Sequence, residues 1–255
     1  MKRIERMKIL KNRPIASRIY ELELEGDLVK EMKSPGQFVH LKAADGLDTT
    51  LRRPISICHI DREAGTFTML YRTEGKGTQL LSRRQAGERL DVLGPLGTGF
   101  PVEGFSHQTR CLLIGGGIGV PPLYELARQL TARGHKVTTV IGFRSAEDVF
   151  YEDAFRELGY VYVATEDGSR GTKGFVTDVI DRHISEWDRY FTCGPRPMLR
   201  AVEARLGPDG WVSLEERMGC GVGACLACVC DEKNGSGYRK VCTDGPVFRA
   251  EEVVV

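Results

Sequence analysis

Four cysteines near the end of the chain, Cys220, Cys225, Cys228 and Cys242, are spaced C-x4-C-x2-C followed by a gap of thirteen residues. Thiols at such intervals dictate the local path of the backbone, because the loop must turn until the sulfurs converge. The spacing is that of plant-type [2Fe-2S] ligation, in which four thiolates hold two irons. Gly219, Gly221, Gly223, Ala224 and Ala227 leave room for backbone to wrap a bulky inorganic core and to aim N–H groups at its sulfurs. Glycine also reaches the positive φ angles such a loop needs. A zinc ribbon uses four cysteines too, but it favours paired C-x2-C knuckles, and one such pair is present here. A set of inert buried thiols is the third reading. Cys230 is an alternative ligand whose spacing fits the pattern worse, so it is left out of the expected set.

The rest of the chain bears on how these thiols are read. Met1 to Lys11 has no continuous apolar segment of the signal-peptide kind. The longest apolar runs, such as Cys111 to Ile114, are too short to span a bilayer. The expected location is the cytoplasm, where clustered cysteines are metal ligands more often than disulfides. With 36 basic residues against 35 acidic ones, no basic field exists to hold a phosphate backbone, so neither nucleic acid nor membrane is an expected partner.

Residues 1–100 read as β structure. Runs at Ile15–Leu24, Gln37–Leu41, Ile55–Ile60, Thr66–Tyr71 and Leu90–Leu93 are separated by Gly and Pro turns, which predicts a small barrel or sandwich. One helix is predicted at Thr78–Arg84. Pro95 to His107 reads as a connector. Residues 108–208 then alternate strands at Arg110–Ile114, Lys136–Phe143, Tyr160–Ala164 and Arg189–Thr192 with helices at Pro121–Arg133, Val149–Glu157, Phe175–His183 and Met198–Leu206. That alternation predicts a parallel sheet covered on both faces. Residues 211–255, dense in Cys and Gly, form a third unit.

Three motifs lie on this framework. Cys111 to Ile114 runs into Gly115-Gly-Gly-Ile-Gly-Val-Pro-Pro122, a strand, glycine turn and helix start that can present backbone N–H groups to a pyrophosphate. The turn is G-x-G-x-x-P (Gly117, Gly119, Pro122), and Arg144 and Ser145 stand where an acidic ribose ligand is usual. The choice between NAD and NADP is therefore open. A merely tight turn remains the plainer reading. Arg52-Arg53-Pro54-Ile55-Ser56 places arginines able to clamp a phosphate, or else is an ordinary strand start. Leu70-Tyr71-Arg72 followed by Gly75-Lys76-Gly77-Thr78 makes a second anion-binding patch, or a loop with a good helix cap.

Arg-Pro-Ile-Ser, Gly-x-Gly-x-x-Pro and Thr192-Cys193-Gly194-Pro195 stand in one order that resembles the ferredoxin-reductase family of flavoproteins over about residues 5 to 205. With the cysteine loop appended, the whole chain resembles the electron-transfer subunits of type B dihydroorotate dehydrogenases, which couple pyrimidine synthesis to NAD. The resemblance implies a ferredoxin-reductase-like FAD-binding β-barrel, a doubly wound parallel-sheet nucleotide-binding domain and a small C-terminal [2Fe-2S] cysteine-loop domain. It implies FAD, a [2Fe-2S] cluster and NAD(H) as cofactors. The implied partner is an FMN-containing dihydroorotate dehydrogenase catalytic subunit, in a heterotetramer of two of each chain.

The resemblance also assigns roles. Arg53, Pro54, Ile55 and Ser56 would hold FAD, Arg53 on its phosphates and Ser56 near the ring. Leu70, Tyr71 and Arg72 would lie along the isoalloxazine and its chain, and Gly77 and Thr78 at the pyrophosphate. Gly117 and Gly119 would admit the nicotinamide nucleotide. Cys193, Gly194 and Pro195 would border the nicotinamide, with Ser56 and Cys193 as the catalytic pair. Cys220, Cys225, Cys228 and Cys242 would ligate the cluster. Ile55 departs from the family, which often has an aromatic residue there, and this leaves Tyr71 as the expected ring contact. The aromatic C-terminus usual in the family is also replaced, here by the cysteine loop. Electron counting orders the carriers: nicotinamide exchanges two electrons, a cluster one, and a flavin must stand between them. The competing readings are a flavin and iron–sulfur subunit of a ferredoxin:NAD(P) reductase or sulfhydrogenase, and a zinc-bearing interaction protein without redox function.

Overall fold

The computed structural model describes residues 2–44, 50–235 and 237–255. Its first part is a closed six-stranded antiparallel barrel of β1 (Arg3–Ala16), β2 (Ile19–Glu25), β3 (Phe38–Lys42), β4 (Arg53–Asp61), β5 (Thr66–Arg72) and β6 (Arg89–Leu96), with α1 (Lys76–Leu81) before β6. The strand order is β1-β2-β5-β4-β3-β6. Alternate residues point inward, so Met7, Ile9, Leu22, Leu24, Val39, Leu41, Ile57, Met69 and Val92 fill the interior.

The barrel differs from the sequence expectation at its start. Ile15–Leu24 is not one strand: it holds the end of β1, a turn at Ser17 and Arg18, and most of β2. Arg18 takes φ +58°, a turn conformation that glycine usually signals. β1 begins at Arg3, within the charged segment that carried no predicted strand, because one face of it is wet. Only Met7 and Ile9 are fully buried there, between lysines and arginines.

The second part is built on a seven-stranded sheet. It contains β7 (Arg110–Gly116), α2 (Pro121–Ala132), β8 (Lys136–Phe143), α3 (Glu152–Arg156), β9 (Tyr160–Thr165), β10 (Thr172–Lys173), α4 (Val176–His183), β11 (Arg189–Cys193), α5 (Arg196–Leu206) and β12 (Gly210–Ser213). After β13 (Val229–Asp231) and β14 (Tyr238–Lys240), which pair as a hairpin, β15 (Val247–Arg249) joins the same sheet. The order is β10-β9-β8-β7-β11-β12-β15, parallel except for β15. Leu112, Ile114, Val140 and Val212 face one apolar layer with α4 and α5, and Leu113, Ile141, Val163 and Phe191 face the other with α2. This is the two-sided covering that the strand–helix alternation predicts. The strand order reverses between β7 and β11, and ligands of open parallel sheets bind at such a switch point.

The predicted helix Val149–Glu157 shortens to Glu152–Arg156. Tyr151 stands at φ +61° before it, with its hydroxyl on Glu21 Oε2 of the barrel at 3.3 Å and its ring edge-on to Tyr124. The two parts are further joined through Glu125 of α2, which is 5% exposed. Its Oε2 accepts from the Ile60 N–H and meets His59 Nδ1, each at 3.2 Å. Burial opposes ionisation of Glu125, but His59, Gln129 and the Ile60 N–H outweigh it and hold the carboxyl below its usual range.

Candidate functional site

The segment between β12 and β15 folds over the outer face of the barrel. Phe38 of β3 and Leu96 of β6 share one core with Cys228, Cys230, Val241, Cys242 and Phe248. Within it the four cysteines of the motif form two interacting pairs. Cys220 pairs with Cys225, and Cys228 with Cys242, while the charge of Cys220 also reaches Cys242. Backbone N–H groups point at the sulfurs: Val222 and Ala224 donate to Cys220 Sγ at 3.4 and 3.3 Å, and Cys220 donates to Cys225 Sγ at 3.4 Å. Burial works against the Cys220 thiolate, but the N–H groups of Val222, Cys225 and Ala224 and the Cys225 thiol outweigh it and bring it down to about 6. Cys242, deeper, is pushed up to about 11 by burial and by Cys228.

Among the described residues no group of three or more His, Cys, Asp or Glu side chains is arranged as ligands of a single metal ion. Two thiol pairs, each with its own neighbours, fit a binuclear core that takes two thiolates per iron. Gly221 and Gly223, at φ +71° and +86°, make the turn possible. Cys230 is turned into the core, 5% exposed, with its thiol directed at the Arg239 carbonyl.

The glycine turn and the Cys193-Gly194-Pro195 segment meet at the switch point. A Cβ on Gly119 would lie 2.3 Å from the Cys193 carbonyl oxygen and 2.6 Å from Gly194 Cα, and one on Gly116 would lie 2.5 Å from Met198 Sδ. Gly119 is therefore held to glycine by a backbone crossing, whereas Gly116 faces the movable Met198 side chain. Gly117, at φ +52°, lies against the Arg72 guanidinium. From here a cleft of about 850 Å³ opens between barrel and sheet, lined among others by Arg72, Gly117, Arg144, Glu166, Phe175 and Pro195. Gly117 and Pro195 line the cleft directly; Gly119 and Cys193, which cross one another, are not among its lining residues. Cys193 is 2% exposed, and burial, reinforced by Glu215, pushes its thiol far above the usual range. Its backbone, crossed by Gly119, is what frames the site.

Arg53, Pro54, Ile55 and Ser56 are the first four residues of β4, at its entrance, and all four are half-buried before the strand closes over at Ile57. Arg53 and Arg52 divide the work. Arg52 is structural, bonded to Asp91 Oδ1 at 2.7 Å and to the His40 carbonyl at 3.1 Å. Arg53 is braced through Nη1 by the Leu51 and Arg52 carbonyls, and among the described residues no carboxylate pairs with it. Its Nε and Nη2 press on Gly77, where a Cβ would fall 2.4 Å from Nε. Arg53 and Gly77 thus form one cradle able to take a phosphate.

Two expectations are modified nearby. The Thr78 hydroxyl accepts the Glu74 and Gly75 N–H groups and donates to the Gly75 carbonyl, so it caps α1 and is not directed at a ligand. Tyr71 is turned into the barrel, 1% exposed, stacked on Tyr20 with its hydroxyl on Asn12 Oδ1 at 2.9 Å. It has no open face for a ring contact, because the residue that alternates outward there is Arg72. Leu70, also buried, packs toward the second domain.

Glu215 was not singled out by any motif. It follows β12 in the chain, opens onto solvent, and lies near enough to Cys193 and Arg72 to act on their charge. Although part of the residue reaches solvent, crowding of the carboxyl by protein keeps water from it and, with Glu74, raises it above the usual range against the pull of Arg72. No spacing could have revealed it, since only the fold brings β12 beside β11.

These sites can be set beside known proteins. Residues 215–254 match the iron–sulfur cluster binding domain of dihydroorotate dehydrogenase B, and residues 113–204 match the oxidoreductase NAD-binding domain. The chain is 58% identical over 98% of both lengths to the electron transfer subunit of dihydroorotate dehydrogenase B (NAD(+)) from Geobacillus kaustophilus. It is 55% identical, again over 98% of both lengths, to the subunit of the same name from Bacillus mycoides. Among solved structures, the NADH-dependent reduced ferredoxin-NADP oxidoreductase superposes with a TM-score of 0.86 at 32% identity, covering 98% of this chain and 90% of that one. These relatives align with the chain over nearly their whole length, and the chain belongs to the family of electron transfer subunits of NAD-dependent dihydroorotate dehydrogenase B.

Proposed function

We propose that this chain carries electrons between NAD(H) and an FMN-containing dihydroorotate dehydrogenase catalytic subunit, in pyrimidine biosynthesis, as part of a heterotetramer of two of each chain. The observation that carries the reading is that one chain holds three sites together: the switch-point cleft, the Arg53–Gly77 cradle at β4, and the cysteine segment, whose Cys228 and Cys242 pack with Phe38 of β3 and Leu96 of β6 of the same barrel. FAD bound on the barrel would supply the conversion between hydride and single-electron transfer that nicotinamide and a [2Fe-2S] cluster cannot perform directly.

The residues act as follows. Arg53 neutralises phosphate charge, and Pro54, Ile55 and Ser56 offer the half-buried surface along which a flavin lies. Gly117 and Gly119 let a nucleotide approach backbone N–H groups at the start of α2, and Cys193 to Pro195 limit its depth. Cys220 with Cys225 would hold one iron and Cys228 with Cys242 the other. Arg53→Ala is expected to cost about 2–3 kcal/mol of charge-assisted hydrogen bonding, roughly a 30- to 150-fold weaker hold on FAD. Flavin content after gel filtration measures it, and full retention would remove Arg53 from the phosphate role.

The partner is expected to dock over the cluster loop. Val222, Leu226 and Val229 are 44%, 46% and 38% exposed there, and Leu226 is held outward at φ +57°, a strained position for leucine that marks functional loops. The isolated chain loaded with FAD should pass electrons from NADH to a dye but should not oxidise dihydroorotate, which needs the second subunit. Leu226→Glu should weaken reconstitution with that subunit and leave the dye reaction intact. An inactive dye reaction in the unaltered chain would contradict the first step. Copurification with a ferredoxin-dependent partner in place of the dehydrogenase would favour the ferredoxin:NAD(P) reductase reading.

A further inference from the structure

His40 sits in the middle of β3 with its ring fully buried, and neither ring nitrogen has a hydrogen-bond partner. It projects from the same barrel face as Phe38, two residues away, which packs against the cluster segment. The opposite residue on β4 is Pro54, and Ser56 lies opposite Phe38, so His40 stands between the flavin strand and the cysteine loop. On the loop side the ring abuts Gly221. A Cβ there would lie 2.6 Å from His40 Nδ1 and 3.2 Å from Cε1. Gly221 belongs to the turn whose Val222 and Ala224 N–H groups point at Cys220 Sγ. The backbone behind the ring is fixed, because Arg52 holds the His40 carbonyl while pairing with Asp91.

A stranded buried donor costs about 1–3 kcal/mol, and such groups are rare in folded proteins unless a ligand or water serves them. The backbone carbonyls of Cys220 and Arg52 are close enough to act on the ring, but neither makes a well-formed hydrogen bond with it, and the loop it touches is the one that presents Cys220. We infer that His40 donates a ring N–H to the sulfur of Cys220 once the cluster is bound, as a positioning residue that clamps the loop to the barrel and raises the reduction potential of the cluster. A hydrogen bond to a ligand sulfur favours the reduced, more negative state, so its removal lowers the potential. The inference rests on the cluster reading of the four cysteines.

The test is an EPR-monitored redox titration of the full chain carrying FAD and cluster, comparing wild type, His40→Leu and His40→Gln, with the flavin potential as internal reference. His40→Leu should shift the cluster midpoint to a more negative value, and His40→Gln, which keeps an N–H donor, should recover most of the shift. A His40→Leu protein with full iron and an unmoved midpoint overturns the inference. If His40→Leu fails to fold or to hold iron, pulsed EPR of the reduced wild-type cluster with and without histidine 15N labelling decides. A histidine nitrogen coupling supports the assignment and its absence overturns it. A wild-type chain that binds no iron at all would sink the cluster reading itself, an outcome distinct from an unmoved midpoint.

Discussion

Cys225→Ser is expected to abolish electron delivery to the partner subunit while NADH still reduces a dye at the wild-type rate. Cys225 is the exposed member of the pair formed with Cys220 and accepts the Cys220 N–H, so serine there removes a ligand without opening a hole in the core. A hydroxyl is a poorer ligand than thiolate for iron in a sulfur cluster. Partner reduction should fall by more than about 100-fold, beyond the 10- to 100-fold that loss of an outer-shell contact costs. The dye reaction is spared because cleft and flavin cradle lie in other elements. Simultaneous loss of both activities would mean that the cysteine loop serves the fold, with no part in the electron path.

Gly119→Ala should produce the opposite pattern. The added Cβ would lie 2.3 Å from the Cys193 carbonyl oxygen and 2.5 Å from its carbonyl carbon, and these are backbone atoms that cannot swing aside. Overpacking of this kind costs about 1–3 kcal/mol or more, and relief requires the glycine turn to move away from β11. Displacement of a substrate-positioning element by about 1 Å can reduce a rate by about 100-fold. NADH oxidation should therefore drop by that order to every acceptor, dye included, while flavin and iron content stay at wild-type levels. Wild-type NADH kinetics would show that the crossing does not position the nucleotide.

The parts legible in the sequence are those encoded by local spacing. The convergence of Cys220 with Cys225 and of Cys228 with Cys242, and the turn from Gly115 to Pro122, each follow from spacing within one stretch of chain. The alternation of strands and helices after residue 108 also survives, since each strand buried on both faces is a continuous apolar run. β1 was not legible, because a barrel strand with one wet face shows only Met7 and Ile9 among charged neighbours. The direction of Tyr71 was not legible either. Alternation establishes that Tyr71 and Arg72 face opposite ways, but only barrel closure decides which way is in. The Thr78 hydroxyl could be read as a ligand or a cap, and its three local hydrogen bonds make it a cap. Glu215 and His40 carry no motif. Each acquires its neighbours when the C-terminal segment folds back, Glu215 beside Cys193 and His40 beneath Gly221.

An anaerobic titration of the purified, FAD-loaded chain with NADH, followed by visible absorption and EPR, tests the electron path most directly. The flavin band should bleach and a reduced [2Fe-2S] signal should appear in the same sample, with two irons per chain by metal analysis. A flavin that bleaches while no cluster signal develops, or a protein whose only metal is zinc, would contradict it.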